Sequence, residues 1–356
     1  MNTLTIIDKL KTEQNASRDE LIFLLRRLGE QERRALREAA RETALRQFGN
    51  KIYIRGLIEI SSVCKNDCYY CGLRRSNPHA VRYRLSEEQI LSCCRKGWGL
   101  GFRTFVLQGG EDGFFTDARV CGIVGAIKSR FPDCAVTLSL GERGEESFRR
   151  LFDAGADRYL LRHETADPDH YQKLHPPGMS GSERQKQLFA LKRIGFQTGA
   201  GFMVGSPYQT EENLADDLLF LKRLAPQMCG IGPFIPHRDT AFRDEPRGSL
   251  ELTLALLAII RLMHPRILLP ATTALGTIHP QGREQGILHG ANVVMPNLSP
   301  EEHRRDYAIY DNKLATGVES AEGLDKLKAQ MRAIGYEIVT DRGDYRGNET
   351  NKIIRE

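Results

Sequence analysis

The stretch IRGLIEISSVCKNDCYYC, residues 54–71, joins a run of apolar residues directly to three cysteines. Its first part, residues 54–61, is almost continuously apolar, which is typical of a strand buried on both faces of a parallel sheet. Further apolar runs follow along the chain, each succeeded by a stretch with helical periodicity. They lie at 103–108, 135–140, 157–162, 197–204, 229–234, 266–272 and 291–296.

Counted with residues 54–61, these runs give eight strand-then-helix units, the number that closes a (βα)8 barrel. The sequence therefore predicts an α/β fold with a (βα)8 TIM barrel over residues 51–340, and a doubly wound open sheet is the alternative. Residues 1–50 are predicted to form an N-terminal helical extension, because leucines recur there at helical spacing. Residues 341–356 are polar and are predicted to form a mobile or loosely docked C-terminal tail.

The composition narrows the class of protein. The 356 residues carry a formal net charge of +5, with 40% hydrophobic and 27% charged residues, which is ordinary for a globular protein. No apolar run approaches the ~18 residues of a membrane helix, and charges interrupt the first apolar stretch, unlike in a signal peptide. No basic stripe interleaved with aromatics indicates nucleic-acid binding. We therefore expect a cytoplasmic protein without membrane or nucleic-acid partners.

The cysteines are the compositional feature that most needs an explanation. Eight are present, and Cys64, Cys68 and Cys71 fall within eight residues of one another. A chain without a secretion signal is expected to keep them reduced, so the five scattered ones are predicted to be buried structural thiols. The C-x3-C-x2-C spacing can supply three thiolates to the irons of one cubane cluster. Structural zinc, the inorganic alternative, usually takes four protein ligands in paired groups.

Polar residues gather where the predicted strands end, which is where TIM barrels place their chemistry. Residues 108–112 read QGGED, and residues 162–165 read RHET. His163 and His237 also lie at such ends, and for both we favour a structural histidine over an acid–base group.

The cysteine spacing, with Tyr70 directly before the last cysteine, resembles the signature of radical S-adenosylmethionine (SAM) enzymes. This resemblance implies a 4Fe-4S cluster on three cysteines whose fourth iron binds SAM. It also implies reductive cleavage of SAM to a 5′-deoxyadenosyl radical, with an electron donor such as a ferredoxin or flavodoxin.

Longer segments resemble, more narrowly, the FeFe-hydrogenase maturase family HydE. They include RGLIEISSVCKNDCYYCGLRRSN (55–77), TGAGFMVGSPYQT (198–210) and PATTALGTIHPQGRE (270–284), and such segments spread over about residues 50–310. The resemblance implies an enzyme that acts on a small-molecule or organometallic precursor of the hydrogenase di-iron centre. Other hydrogenase maturases are the implied partners.

The same resemblance implies roles for individual residues. The cluster ligands are Cys64, Cys68 and Cys71. The residues expected at the SAM site are Tyr70, Gly109, Gly110, Glu111, Arg162, Glu164, Arg184 and Met203. The residues expected around the substrate cavity and its small-anion sites are Gln108, Thr137, Arg158, Thr272, Thr273, Met295, Tyr307 and Tyr310.

The chain departs from the family pattern in two places. Many members carry cysteines for an optional second cluster beyond the tyrosine-containing segment, but residues 306–327 contain none. We therefore predict one cluster only. Gly109 stands where other members have Ser, which leaves the polar contact at that position open.

Three alternatives stay open from the sequence alone. A biotin synthase-like enzyme would need a cysteine on an inward strand position to hold a second cluster, and the sequence lacks one. A methylornithine synthase-like enzyme shares the barrel and needs no second cluster, so it is harder to exclude. A non-enzymatic iron–sulfur scaffold or electron carrier is disfavoured, because three ligands leave one iron open.

Overall fold

Parallel strands form every sheet of the computed structural model, which describes residues 1–347. The strands in that range are β1 Lys51–Ile54, β2 Gly56–Ser61, β3 Thr104–Gly109, β4 Ala135–Ser139, β5 Arg158–Leu160, β6 Gln197–Ala200, β7 Met203–Val204, β8 Met228–Cys229, β9 Gly232–Pro233, β10 Val293–Val294 and β11 Glu337–Val339. The helices are α1 Thr3–Glu13, α2 Arg18–Leu25, α3 Glu30–Phe48, α4 Glu87–Gly99, α5 Asp117–Arg130, α6 Glu145–Asp153, α7 Pro168–Leu174, α8 Gly181–Ile194, α9 Glu211–Leu224, α10 Leu250–Met263, α11 Thr273–Ile278, α12 Gly282–Leu288, α13 Glu301–Arg304 and α14 Leu324–Ala333.

The sheet closes on itself and forms a barrel. Six strands pair in the order β2-β3-β4-β5-β6-β8, and single bridges continue the ring from Met228 to Leu268 and from Pro270 to Val293. A last parallel bridge, Leu57 to Asn297, returns the chain after β10 to β2. The predicted α/β TIM-barrel fold is therefore confirmed, and the open-sheet alternative is excluded.

Two predicted elements differ from the structure. The run 266–272 makes only single bridges, and Pro270, which has no N–H to donate, interrupts its ladder. The helical stretch predicted after the last apolar run is present only as α13 and α14. Between them the chain is mostly irregular, with left-handed backbone at Asn312 (φ 56°) and Gly317 (φ 65°), which a helix cannot accommodate.

The N-terminal helices pack against the outside of the barrel. A Ser17–Glu20 capping box begins α2, and Arg18 forms an ion pair with Asp216 of α9 at 2.7 Å. Helix α3 packs along α10, whose residues are nearly all buried because helices cover both of its sides. Within residues 1–347, no helix is both long and apolar enough to cross a membrane.

The cysteines outside the 64–71 loop form no disulfide bonds, and the predicted burial holds for all of them except Cys121. All eight are free thiols. Four of the five lie in the core, and Cys121 is partly exposed on α5.

An ion-pair network covers the N-terminal end of the barrel. The side chain of Arg158 is fully buried and donates to Thr104 Oγ1 at 2.9 Å and to the carbonyl of Arg342 at 2.8 Å. It also pairs with Asp344 at 2.6 Å. Residues 341–347 of the predicted tail thus dock across this end, because they carry the counter-charge of a buried guanidinium. Residues 348–356 lie outside the described residues.

We expect the substitution Asp344→Asn to destabilise the fold, because it leaves the buried charge of Arg158 without its carboxylate. Since Asp344 is itself about a third exposed, the loss in free energy of unfolding should be about 1–2 kcal/mol. Urea denaturation measures it, with Asp325→Asn at a fully exposed position as the control. Equal stability of both variants would contradict the proposed importance of this contact.

Candidate active site

A cavity of about 380 Å³ opens at the carboxyl ends of the barrel strands. Its lining includes all three cysteines of the 64–71 loop and most of the polar strand ends that the sequence singled out. The predicted site residues in this lining are Cys64, Cys68, Cys71, Tyr70, Gln108, Gly109, Gly110, Glu111, Arg162, Glu164, Arg184, Met203, Thr272, Thr273, Met295, Tyr307 and Tyr310.

Backbone contacts hold the cysteine loop in place. Arg82 donates to the carbonyls of Ser62 at 2.7 Å and of Leu73 at 2.9 Å, so that it ties both ends of the loop together. Within the loop, the amide of Cys71 donates to the carbonyl of Cys68 at 3.3 Å. The thiols are therefore presented by a fixed turn.

Gly110 allows the second loop to approach the first. A Cβ at this position would lie 2.3 Å from the carbonyl oxygen of Val63 and 2.7 Å from Cys64 Cβ, so any side chain here would clash. The amide of Lys65 also donates to the carbonyl of Glu111 at 3.0 Å. The predicted Gly-Gly-Glu element thus lies directly against the first cysteine.

The arrangement of the thiols distinguishes between metals. Burial raises the pKa of Cys71 to about 12 and raises that of Cys68 further, so free thiolates are costly here without a cationic partner. Across residues 1–347, no three His, Cys, Asp or Glu side chains converge so as to hold one metal ion. Structural zinc usually takes four protein ligands in paired groups, whereas a cubane cluster can take three thiolates, one on each of three irons, as the C-x3-C-x2-C loop supplies them.

Polar atoms with unused hydrogen-bonding capacity face this region of the barrel. Arg162 Nη2 lies 3.2 Å from Glu164 Oε2, yet the two are not aligned for a hydrogen bond. In the described part of the chain, both atoms and Thr272 Oγ1 are buried without a hydrogen-bond partner. Native proteins rarely leave such groups unpaired, so these three atoms indicate the place of a polar ligand.

Backbone strain and a buried arginine position these groups. Glu164 adopts left-handed backbone (φ 66°), which is uncommon for a residue other than glycine and is often found at functional sites. Arg184 reaches from α8, donates to the carbonyl of Arg162 and pairs with Glu142. The predicted SAM-site residues Arg162, Glu164 and Arg184 are therefore brought into one cluster.

Two predicted substrate residues lie outside the cavity lining. Arg158 is engaged in the ion-pair network at the opposite end of the barrel. Thr137 lies on β4 two residues before Ser139, which does line the cavity, and its buried hydroxyl has no hydrogen-bond partner within residues 1–347. Both residues lie closer to the amino-terminal ends of their strands than the other residues predicted to line the substrate cavity.

A buried ion pair in the cavity wall was not predicted. Glu59 of β2 is fully buried; its Oε1 lies 2.7 Å from Lys313 Nζ, and its Oε2 accepts from Asn297 Nδ2 at 2.8 Å. Lys313 comes from the irregular segment after α13 and also lies over the ring of Tyr307, 5.2 Å from its centroid. One feature of the sequence could have indicated this pair. Glu59 is the lone carboxylate in the apolar run GLIEIS, and because an unpaired buried charge is costly, it required a partner.

The histidines near the site differ in their position relative to the cavity. His163 is fully buried behind the cavity wall, 3.2 Å from Asp217, and burial lowers its pKa to about 3, so it stays neutral. His237 lies outside the lining. His175, which was not predicted from the sequence, lines the cavity with its Nε2 3.1 Å from the hydroxyl of Tyr70.

Comparisons with known proteins agree with this geometry. A family model described as the radical SAM superfamily matches residues 58–221. The chain is 47% identical over 280 residues to the FeFe hydrogenase maturase subunit HydE of Thermotoga maritima, covering 79% of this chain and 80% of that protein. It is 29% identical over 300 residues to a 3-methylornithine synthase of Methanosarcina acetivorans, covering 84% of each. A crystal structure of methylornithine synthase superposes with a TM-score of 0.83 and 25% identity, covering 94% of this chain and 97% of that one.

The substitution Lys313→Met tests the buried ion pair. It leaves the Glu59 carboxylate buried with only Asn297 as a partner, and we expect the free energy of unfolding to fall by about 2–3 kcal/mol. The double variant Glu59→Gln with Lys313→Met is the matched control. It removes both charges and should regain most of the loss, whereas a double variant as unstable as the single one would contradict the ion-pair interpretation.

Proposed function

Because the chain belongs to the radical SAM superfamily, and within it to the HydE family, we propose that it acts in the maturation of FeFe hydrogenase. In this role it cleaves SAM reductively and acts on a small-molecule or organometallic precursor of the di-iron centre. The observation that carries the proposal is the presence of three cysteines and the SAM-type strand ends in one cavity. The HydE relative of Thermotoga maritima carries this function in its name.

The residues of the cavity fit the resident cofactors. Cys64, Cys68 and Cys71 would hold one 4Fe-4S cluster, and three ligands leave one iron free for SAM. When bound there, the cluster and SAM would supply the one-electron reductive cleavage of SAM to methionine and a 5′-deoxyadenosyl radical. In the described range, residues 306–327 contribute no cysteine to the cavity, which supports a single cluster.

The chain's own polar groups would bind and orient SAM. The unpaired guanidinium atoms of Arg162 suit a carboxylate, and the unpaired Glu164 oxygen suits an ammonium or a ribose hydroxyl. Arg184 fixes the backbone of Arg162 and so positions it. Glu111 accepts from the amide of Glu142 at 2.9 Å, which anchors the Gly-Gly-Glu element.

The deeper part of the barrel suits a small anion. Arg55 is buried with Nε and Nη2 unpaired in the described chain, and burial together with the nearby charge of Arg158 lowers its pKa. The unpaired Thr137 hydroxyl faces the same interior. A small anion would satisfy these donors, which supports Thr137 as a residue near the predicted small-anion sites, whereas Arg158 is already paired with Asp344.

A methylornithine synthase-like activity is the second candidate. It is supported by the match over 84% of a 3-methylornithine synthase and by the TM-score of 0.83 to a methylornithine synthase structure. The higher identity to the HydE relative, 47% against 29%, favours the maturase function.

A reconstitution assay separates the two activities. The anaerobically reconstituted protein, reduced with dithionite, should convert SAM to 5′-deoxyadenosine and methionine. It should also restore hydrogen evolution to extracts that contain unmatured FeFe hydrogenase but lack a HydE protein. Intact SAM under these conditions would overturn the proposed enzyme class, and formation of methylornithine without restored hydrogenase would favour the second candidate.

The ligand assignment predicts a selective loss of iron. Cys68→Ser should abolish the cluster absorbance, whereas Cys121→Ser, a partly exposed thiol outside the cavity, should keep about four irons per chain. Iron analysis with electron paramagnetic resonance measures both. Retention of a full cluster in Cys68→Ser would contradict the assignment, and about eight irons in the unmodified protein would contradict the single cluster.

A further inference from the structure

The carboxyl end of helix α7 contacts the two residues that separate the second and third cysteines of the 64–71 loop. The amide of Tyr69 donates to the carbonyl of Leu174 at 3.0 Å. One residue further along each segment, the hydroxyl of Tyr70 lies 3.1 Å from Nε2 of His175. Neither contact involves a cysteine side chain, so this helix end orients the aromatic part of the loop and leaves the thiols free.

The end of the helix also determines which nitrogen of His175 is free. Its Nδ1 lies 2.9 Å from the carbonyl of Tyr171, about one helical turn earlier. A carbonyl only accepts hydrogen bonds, so Nδ1 carries the proton and Nε2 of the neutral ring is an acceptor. Burial lowers the pKa of His175 to about 4, which keeps the ring neutral. The hydroxyl of Tyr70 is therefore the donor to Nε2.

The rings around His175 leave it little freedom. The imidazole is buried and stacks on the ring of Tyr171, with the centroids 3.9 Å apart and an angle of 20° between the planes. It meets the ring of Tyr70 edge-on, at 5.4 Å and 87°. A Cβ at Gly181, the first residue of α8, would lie 2.9 Å from the Tyr171 ring, so α8 closes the stack from behind. The three rings thus form a fixed group that ends at the cavity.

Tyr70 connects the cluster ligands with the proposed SAM site. It directly precedes Cys71, and it lines the same cavity as Glu164 and Arg184. A side chain that is free to rotate must be ordered when a ligand packs against it, which weakens binding. A ring that is held in place beforehand avoids this cost. The hydrogen bond to His175 therefore bears on how tightly this wall of the cavity can bind a ligand.

We propose that His175 is a positioning residue of the SAM site, which holds the ring of Tyr70 in the orientation against which SAM packs. The inference rests on the proposed function, since that function makes SAM the ligand at this wall. His175 contributes by ordering the Tyr70 ring before SAM binds, and no proton transfer is involved. Loss of either partner of the hydrogen bond should weaken SAM binding even when the cluster is complete.

Removing each partner in turn tests the contact. His175→Phe keeps a ring but loses the acceptor, and Tyr70→Phe loses only the hydroxyl. In both variants we expect the dissociation constant of SAM for the reconstituted enzyme, measured before reduction, to rise about threefold to tenfold, which is the effect of ordering one side chain. The double variant should bind SAM no more weakly than either single variant, because all three lack the same hydrogen bond. Iron analysis of the same samples should give about four irons per chain.

His289 provides a matched control for His175. It too follows the last residue of a helix, α12, and its Nδ1 lies 2.7 Å from the carbonyl of Gln285, four residues earlier, but it lies outside the cavity lining. His289→Phe should therefore lose about as much stability in urea as His175→Phe and bind SAM like the unmodified protein. Tyr336→Phe is the control for Tyr70→Phe, because it removes a buried hydroxyl without a hydrogen-bond partner in the described chain. It should also leave the affinity for SAM unchanged.

The outcomes separate this inference from the proposed function. Unchanged affinity for SAM in Tyr70→Phe would overturn the positioning role, and this variant decides the matter if His175→Phe does not fold. Loss of iron in His175→Phe would also overturn it, since the helix end would then support the cluster itself. Equal weakening in His289→Phe would do the same, because the effect would follow from stability alone. An unmodified protein that takes up its cluster but binds no SAM would instead overturn the proposed function.

Discussion

The bridge that closes the barrel also assembles the site. The amide of Leu57 donates to the carbonyl of Pro296 at 3.0 Å, and the amide of Leu298 donates back to Leu57 at 2.7 Å. This pairing joins the last strand position to β2 and so brings the segment after α13 beside the cysteine loop. The amide of Gly72 then donates to the carbonyl of Ile309 at 3.0 Å. The loop that carries the thiols is thus held on one side by Gly110 and on the other by the end of the barrel.

Closure has an energetic consequence for the residues inside. Inward side chains that do not face the cavity are removed from water, so a charge there is costly without a partner from another strand or loop. Glu59 finds Lys313 and Asn297, and Arg158 finds Asp344. Among the buried polar groups left unpaired in the described part of the chain, those of Arg162, Glu164 and Thr272 lie in the cavity lining.

Sequence reasoning succeeded where local chemistry determines position. Continuous apolar runs marked the strands, and because parallel strands end at one face, the polar residues after them could be grouped from their place in the sequence alone. It failed where a residue's partner comes from a distant segment. Arg158 looked like a cavity residue, but Asp344 at the far end of the chain holds it. Lys313 gave no signal, because its role depends on an irregular segment that the sequence suggested was helical.

The ion-pair network at Arg158 also determines from which end a ligand can enter the barrel. Thr104, Arg342 and Asp344 surround Arg158 and close the amino-terminal end of the barrel. Within residues 1–347, the interior of the barrel is therefore open only at the carboxyl ends of the strands. In the proposed function, the residues suited to SAM lie nearer the open end of the barrel than the unpaired donors of Arg55 and Thr137. A molecule bound at those deeper donors would then have to enter the barrel before SAM and could leave only after it.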